Sequence, residues 1–317
     1  MEAEELLVLK FIRKLQDPVP QYVIGCLPVI ATIGAAPWES FVDKFIWLLR
    51  CLGCPFTGLF YVCCIKNDET TLCIYWLPSE CFITRDGKKI NYRPFGVYAM
   101  DVMDVKQVEI MKECVAKASV LERLSSLASF YYILVGVISG IVRVIGPSVC
   151  NEDWPSIPIA LSWTLPAIFR RTFLKYIVVK DPNIKLDDQK VNVTNLDKHN
   201  KSNLYARVAF AALMSIVVPW ISVLLVYFTP PIGFLCRSKY LSLLCSIWSF
   251  NSVLALLSHL RGEKSVFGNW YLHVVFFTSG ILVAFLLFVL ALLSNNPLWW
   301  VSLLGNSCDM SSICYNI

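Results

Sequence analysis

The sequence predicts an all-α, polytopic helical membrane protein with about seven transmembrane helices and a small cytosolic insert that contains a β-hairpin. Three observations predict this class. Hydrophobic residues make up 56% of the chain and charged residues only 16%, whereas soluble domains carry about 25% charged residues. The charges are clustered, so that uncharged apolar runs long enough to cross a bilayer lie between them. Two polar inserts with turn and helix patterns separate these runs.

Four apolar runs are the strongest candidates for membrane spans because no charged residue interrupts them. They are residues 124–142, 208–228, 240–260 and 270–293. Gly136 and Gly140 in the first run form a pair of small residues four positions apart, which favours close helix packing in membranes. Residues 208–293 are therefore expected to form a three-span bundle.

Three weaker candidates contain a proline or an arginine, namely residues 19–38, 45–65 and 154–169. Membrane helices tolerate proline where neighbours satisfy the freed carbonyls, so these segments are retained as spans. The third is short enough to be re-entrant or interfacial instead. The resulting division is an amphipathic segment at 1–18, two spans in 19–65, a cytosolic insert at 66–123, a span pair in 124–169, a basic cytosolic loop at 170–207, the bundle at 208–293 and a C-terminal tail at 294–317.

The first insert is expected to contain a β-hairpin followed by a long helix. Apolar stretches at Cys73–Leu77 and Cys81–Thr84 precede the Asp86-Gly87 turn signal. From Asp104 onward the apolar residues follow a helical period, with no proline or glycine before Leu124. The sequence therefore predicts one helix that runs straight into the following span.

Lys and Arg residues are distributed unevenly between the two sides of this seven-span arrangement. Of the 28 in the chain, 23 fall on the side that holds the N-terminus and both inserts. Because cytosolic loops collect these residues, the N-terminus is predicted to be cytosolic and the C-terminus outside or lumenal. Asn192 and Asn200 begin formal glycosylation sequons in the second insert. We interpret both as chance matches, since they would be used only in the lumen.

The sequence contains no motif for phosphate, dinucleotide or zinc binding and no serine nucleophile motif, which predicts a non-enzymatic protein without a cofactor. Ionisable side chains at membrane depth are often functional, and this criterion selects Arg50, His259 and His273. Cys63 and Cys64, beside Lys66 at a predicted cytosolic edge, are candidates for palmitoylation.

Two further groups of residues lie at the predicted membrane edges. Arg170, Arg171 and Lys175 form a basic cluster that suits anionic lipid head groups, although any cytosolic flank needs such residues for insertion. Cys308 and Cys314 in the predicted outside tail are candidates for a disulfide. The odd total of 13 cysteines, spread over spans and inserts, is not a disulfide framework.

One stretch of the sequence resembles a known group of proteins. It runs from Trp154-Pro155-Ser156-Ile157-Pro158 through Arg170-Arg171, with Val178-Val179-Lys180-Asp181-Pro182 after it. This stretch, roughly residues 150–185, is similar to segments of uncharacterised multi-pass membrane proteins of fungi. That group has no assigned activity, so the resemblance implies a class and no mechanism.

Two functions follow as hypotheses. The leading one is a non-enzymatic membrane protein that acts in interaction, scaffolding or sensing. The alternative is a small-solute transporter or channel that uses proline-broken helices. The predicted spans carry no Asp or Glu in their cores, which disfavours a cation or proton carrier. A G-protein-coupled receptor is disfavoured because the N-terminus is predicted to be cytosolic.

Overall fold

The computed structural model of the chain describes residues 36–65, 68–84, 104–145, 156–174, 176–187, 189–193, 201–229, 232–261 and 269–293, together with positions 87, 102, 301, 302 and 305. These residues are mostly helical. In chain order the elements are α1 Phe41–Gly53, α2 Pro55–Cys64, α3 Glu69–Ile74, β1 Phe82–Thr84, α4 Val105–Glu113, β2 Val115–Lys117, α5 Val120–Ile145, α6 Ser156–Ala160, α7 Leu165–Phe169, β3 Tyr176–Val178, α8 Pro182–Lys185, β4 Val191–Val193, α9 Lys201–Phe228, α10 Cys236–Arg261 and α11 Trp270–Leu293. Helical turns of other types lie at Ser79–Cys81, Ser162–Thr164 and Arg170–Leu174.

Four helices, α5, α9, α10 and α11, are long and apolar enough to cross a membrane. Their apolar windows coincide with the four uninterrupted runs of the sequence, so the prediction of these four helices is confirmed. Large apolar side chains such as Phe250, Phe285 and Phe288 are exposed on them, as expected for surfaces that face lipid. By length and composition these four helices are those of a membrane-embedded protein.

The segment 45–65, predicted as one span, is two helices that meet at Cys54 with a bend of 104°. α1 has 13 residues and α2 has 10, lengths of about 20 and 15 Å, so neither crosses a core of about 30 Å alone. Trp38 before α1 and Tyr61 near the end of α2 both lie against the ring of Trp76, at centroid distances of 5.3 and 5.4 Å. Both ends therefore lie on one side of the bundle. The segment is therefore bent and not one straight helix, and because both of its ends lie beside Trp76 we call α1 and α2 together the re-entrant hairpin.

The shortest predicted span, 154–169, is also not one helix. From residue 156 it consists of α6, one irregular helical turn and α7, and it lies along α5 in the opposite direction. At one end Arg123 Nε donates to Thr172 O at 3.1 Å. Further along, a Cβ on Gly136 would lie within 3.0 Å of the Pro158 ring. Three other predicted segments lie almost entirely outside the described residues: the amphipathic segment 1–18, the span 19–38 and the tail 294–317.

The two polar inserts fold together into one small unit. β1 pairs in parallel with β4, with Phe82 opposite Val191, and β2 pairs antiparallel with β3, with Val115 opposite Val178. Each pair therefore takes one strand from each insert. We call residues 68–84, 104–118 and 176–193 the insert unit. Because its two parts are in contact, both inserts lie on the same side of the bundle.

The prediction for residues Cys73–Leu77 is wrong, because this stretch is not extended. Asp68 caps α3 by accepting a hydrogen bond from the Thr71 backbone N–H at 2.8 Å, so helix covers Glu69–Ile74. Among the described residues β1 pairs with β4 of the second insert and not with a neighbouring strand of the first. The predicted β-hairpin is therefore not confirmed.

The predicted continuous helix from Asp104 into the span is also wrong. β2 interrupts it, and α5 begins afresh in a capping box formed by Ser119 and Glu122. The Ser119 hydroxyl accepts from the Glu122 backbone N–H at 3.2 Å, and the Glu122 carboxylate accepts from the Ser119 N–H at 2.9 Å. This pair stabilises a new helix start where the apolar period alone shows none.

Candidate functional site

The re-entrant hairpin places a helix break inside the bundle, and two side chains of α10 hydrogen-bond to it. Trp248 Nε1 donates to Leu52 O at 2.7 Å, and Asn251 Nδ2 donates to Gly53 O at 2.8 Å. Both side chains are buried. A buried carbonyl without a partner costs about 1–3 kcal/mol, so these bonds stabilise the bend. The break itself follows from Pro55 at the first position of α2, where proline suits a helix start.

The tip of the hairpin also contacts the backbone of α11. A Cβ on Gly53 would lie within 3.0 Å of Phe276 O and Gly280 N, and a Cβ on Gly280 would lie within 3.0 Å of Leu49 O. Glycine at both positions therefore permits the two helices to touch. The tip is held between α10 and α11.

Arg50 lies in α1 one turn before the bend and is only 3% exposed. Its Nη1 donates to Nδ1 of His273 at 3.0 Å. Its guanidinium also lies over the rings of Trp47 and Phe276, at 5.7 and 5.5 Å. Arginine has no acceptor atom, so His273 Nδ1 must carry the lone pair, and the imidazole is neutral with its proton on Nε2. Arg50 is thus buried in the bundle, and its selection as a functional position stays a prediction.

The structure brings together two of the three candidate positions, since Arg50 and His273 are in contact. His259 has a different environment: its ring lies 4.2 Å from that of Phe60 on α2. Cys54, at the bend, is a free thiol whose Sγ donates to Asn251 O at 3.5 Å. Within the described ranges, no group of three His, Cys, Asp or Glu residues is arranged to hold a metal ion.

The basic cluster at 170–175 is divided between different roles. Arg170 is buried, and its Nη1 donates to Tyr61 O at 2.7 Å and Val62 O at 2.8 Å. It therefore satisfies carbonyls at the end of α2 and joins the hairpin to the chain after α7. Arg171 forms an ion pair with Glu122 at 2.6 Å. Lys175 lies outside the described residues, as do the side chains of Cys63 and Cys64.

A cavity of about 370 Å³ lies where α1 meets α5 and the insert unit. Phe41, Phe45 and Leu48 form an apolar wall on α1. The polar lining comes from Lys44, Glu122 and Arg171. The cavity thus combines an apolar wall with two cations and one carboxylate.

In the insert unit, burial raises the pKa of the Cys73 and Cys114 thiols and of the Asp181 carboxyl. A thiol with a raised pKa is protonated at neutral pH and is a poor nucleophile or metal ligand. These cysteines therefore act as packing residues.

Trp248 and Asn251 were missed by sequence reasoning. Asn251 is a polar side chain within an apolar run, which is a signal for an inward-facing position in a membrane helix. Its hydrogen-bond partner, Gly53 O, becomes available only because α1 and α2 bend in a distant segment of the chain.

Comparisons with known proteins identify no relative. No family model matches the chain, and no curated protein or solved structure matches it significantly. The resemblance of residues 150–185 to multi-pass membrane proteins of fungi stays a prediction.

Proposed function

We propose that the chain is a non-enzymatic, multi-pass membrane protein whose insert unit acts in interaction, scaffolding or sensing at the membrane surface. One observation carries this proposal: the insert unit is joined to the re-entrant hairpin through a cluster of aromatic rings. Trp76 of the insert unit lies 5.3 Å from both Trp38 and Trp47 and 5.4 Å from Tyr61. A movement of the insert unit would therefore act directly on the hairpin through these ring contacts.

We further propose that the insert unit is cytosolic. The two inserts support this orientation, because residues 66–123 and 170–207 together hold 18 of the 28 Lys and Arg residues of the chain. Cysteine chemistry supports it too. Cys73, Cys81 and Cys114 of the insert unit are free thiols, whereas Cys236, at the far end of α10 from His259, is disulfide-bonded. Disulfides persist outside the reducing cytosol.

Glycosylation tests this orientation. We expect Asn192 and Asn200 to stay unmodified when the chain is inserted into a secretory membrane, and a sequon appended after Ile317 to be modified as the positive control. Modification of Asn192 would reverse the orientation.

Flux measurements test the scaffold proposal against transport. We expect liposomes that contain the purified protein to release small anions, cations and neutral solutes no faster than empty liposomes. A flux that Arg50→Gln or Pro219→Ala abolishes, and that the control Lys239→Gln retains, would overturn the scaffold proposal.

The second candidate function, a transporter or channel, has one specific observation in its favour. The hairpin ends inside the bundle and carries the buried cation Arg50 near its tip, an arrangement that transporters use at the bilayer midplane. The carbonyls of Leu52 and Gly53 are, however, already bonded to Trp248 and Asn251. Each carbonyl thus has one of its two lone pairs already occupied, which reduces its capacity to coordinate an ion, so we rank this function second.

A further inference from the structure

The cavity beside α1 lies at the boundary between the membrane helices and the insert unit. Lys44 of α1 and Arg171 line it together with Glu122, whose carboxylate is paired with Arg171 at 2.6 Å. Two cations and one carboxylate leave an excess of one positive charge. This balance suits an anion.

Arg171 supplies the second cation of the lining. Its side chain is only 10% exposed and is held by the ion pair with Glu122. A guanidinium donates charge-assisted hydrogen bonds to phosphate oxygens and can donate two at once. A phosphate in the cavity would therefore meet one fixed cation, Arg171, and one exposed cation, Lys44.

The apolar wall favours a lipid over a soluble phosphate compound. Phe41 and Phe45 stack at 6.3 Å and are 79% and 49% exposed. Their rings continue the wall of the cavity outward along α1, where the hairpin enters the membrane region. A volume of about 370 Å³ is small for a whole phospholipid, so a head group would fill it while the acyl chains lie along these rings.

We propose that this cavity binds the head group of one anionic phospholipid from the leaflet beside the insert unit, with its phosphate between Lys44 and Arg171. This lipid site does not depend on whether the chain acts as a scaffold or as a carrier. It replaces the wider basic cluster as the lipid contact, because Arg170 is occupied by the carbonyls of α2.

Native mass spectrometry of the full chain in detergent tests the proposal. The probes are phosphatidylserine and phosphatidylcholine with the same acyl chains, added in equal amounts. We expect one phosphatidylserine to bind in preference to phosphatidylcholine. Lys44→Gln should weaken that binding about fivefold, the effect of one basic residue near an anionic head group. The matched control Lys112→Gln, on the exposed face of α4, should bind as the unchanged protein does.

Further arms separate the possible ligands. Phe45→Ser should weaken phosphatidylserine binding, and millimolar inorganic phosphate should not displace the lipid. Displacement by phosphate, with no effect of Phe45→Ser, would show a soluble anion site and overturn the lipid proposal. Equal binding by the Lys44 and Lys112 variants would also overturn it. Because Lys44 is exposed, its variant should fold, which a thermal melt would verify.

Discussion

Substituting Gly53 with alanine tests whether the hairpin tip and α11 touch as described. The added methyl group would lie within 3.0 Å of Phe276 O and Gly280 N, which are backbone atoms of one helix and cannot rotate away. The two helices must therefore separate. Gly280→Ala should strain the same approach from the other side, against Leu49 O.

The expected cost is the balance of two effects. Overpacking costs about 1–3 kcal/mol, and alanine recovers up to about 1 kcal/mol in helix propensity. We therefore expect each variant to lose about 1–2 kcal/mol of unfolding free energy. The double variant should lose less than the sum, because the first methyl group already separates the helices that the second would strain.

Thermal unfolding in detergent, followed by tryptophan fluorescence, measures these losses. For large domains about 1 kcal/mol corresponds to about 2–4 °C in Tm, so each single variant should melt several degrees lower. Thr278→Ala, on the exposed side of α11, is the matched control and should melt within about a degree of the unchanged protein. An unchanged or raised Tm for Gly53→Ala, or strictly additive losses, would refute the close contact.

Three further predictions concern the bend, the insert unit and the disulfide. Asn251→Leu should cost about 1–3 kcal/mol in the same melt, because Gly53 O loses its donor. Burial raises the pKa of Asp181 above its ordinary value of 3.8, so the insert unit should lose stability as pH rises from there through the raised pKa, and Asp181→Asn should flatten this slope in a pH series of melts. Non-reducing peptide mapping should recover Cys236 in a linked peptide; recovery as a free thiol would contradict the assigned disulfide.

The four long helices could be predicted from the sequence because the signal is local: an apolar run without charges is sufficient to define a span. The hairpin could not be predicted in the same way, since 45–65 has the length and composition of a span. Its break depends on Pro55 together with distant donors, Trp248 and Asn251, that make the bend stable. Sequence periodicity shows neither partner.

The structure of the insert unit differs from the prediction for two different reasons. The capping box of Ser119 and Glu122 is present in the sequence, but the apolar period continues across it and hides the helix boundary. The parallel pairing of Phe82 with Val191 joins two inserts that are far apart in the chain. A pairing of that kind is set by the helices between the inserts, which return the chain to the same side, and no local pattern records it.

The contacts of the hairpin bear on the choice between the two proposed functions. At its ends, Trp38 and Tyr61 lie against Trp76 of the insert unit; at its tip, Gly53 lies against α10 and α11. The hairpin is therefore a direct connection between the polar unit and two long membrane helices. A carrier is expected to have space for a solute at such a tip, whereas here each carbonyl already accepts a hydrogen bond and the two glycines are in contact. A packed connection of this kind suits a protein that transmits or resists a change at the membrane surface more than one that passes a solute.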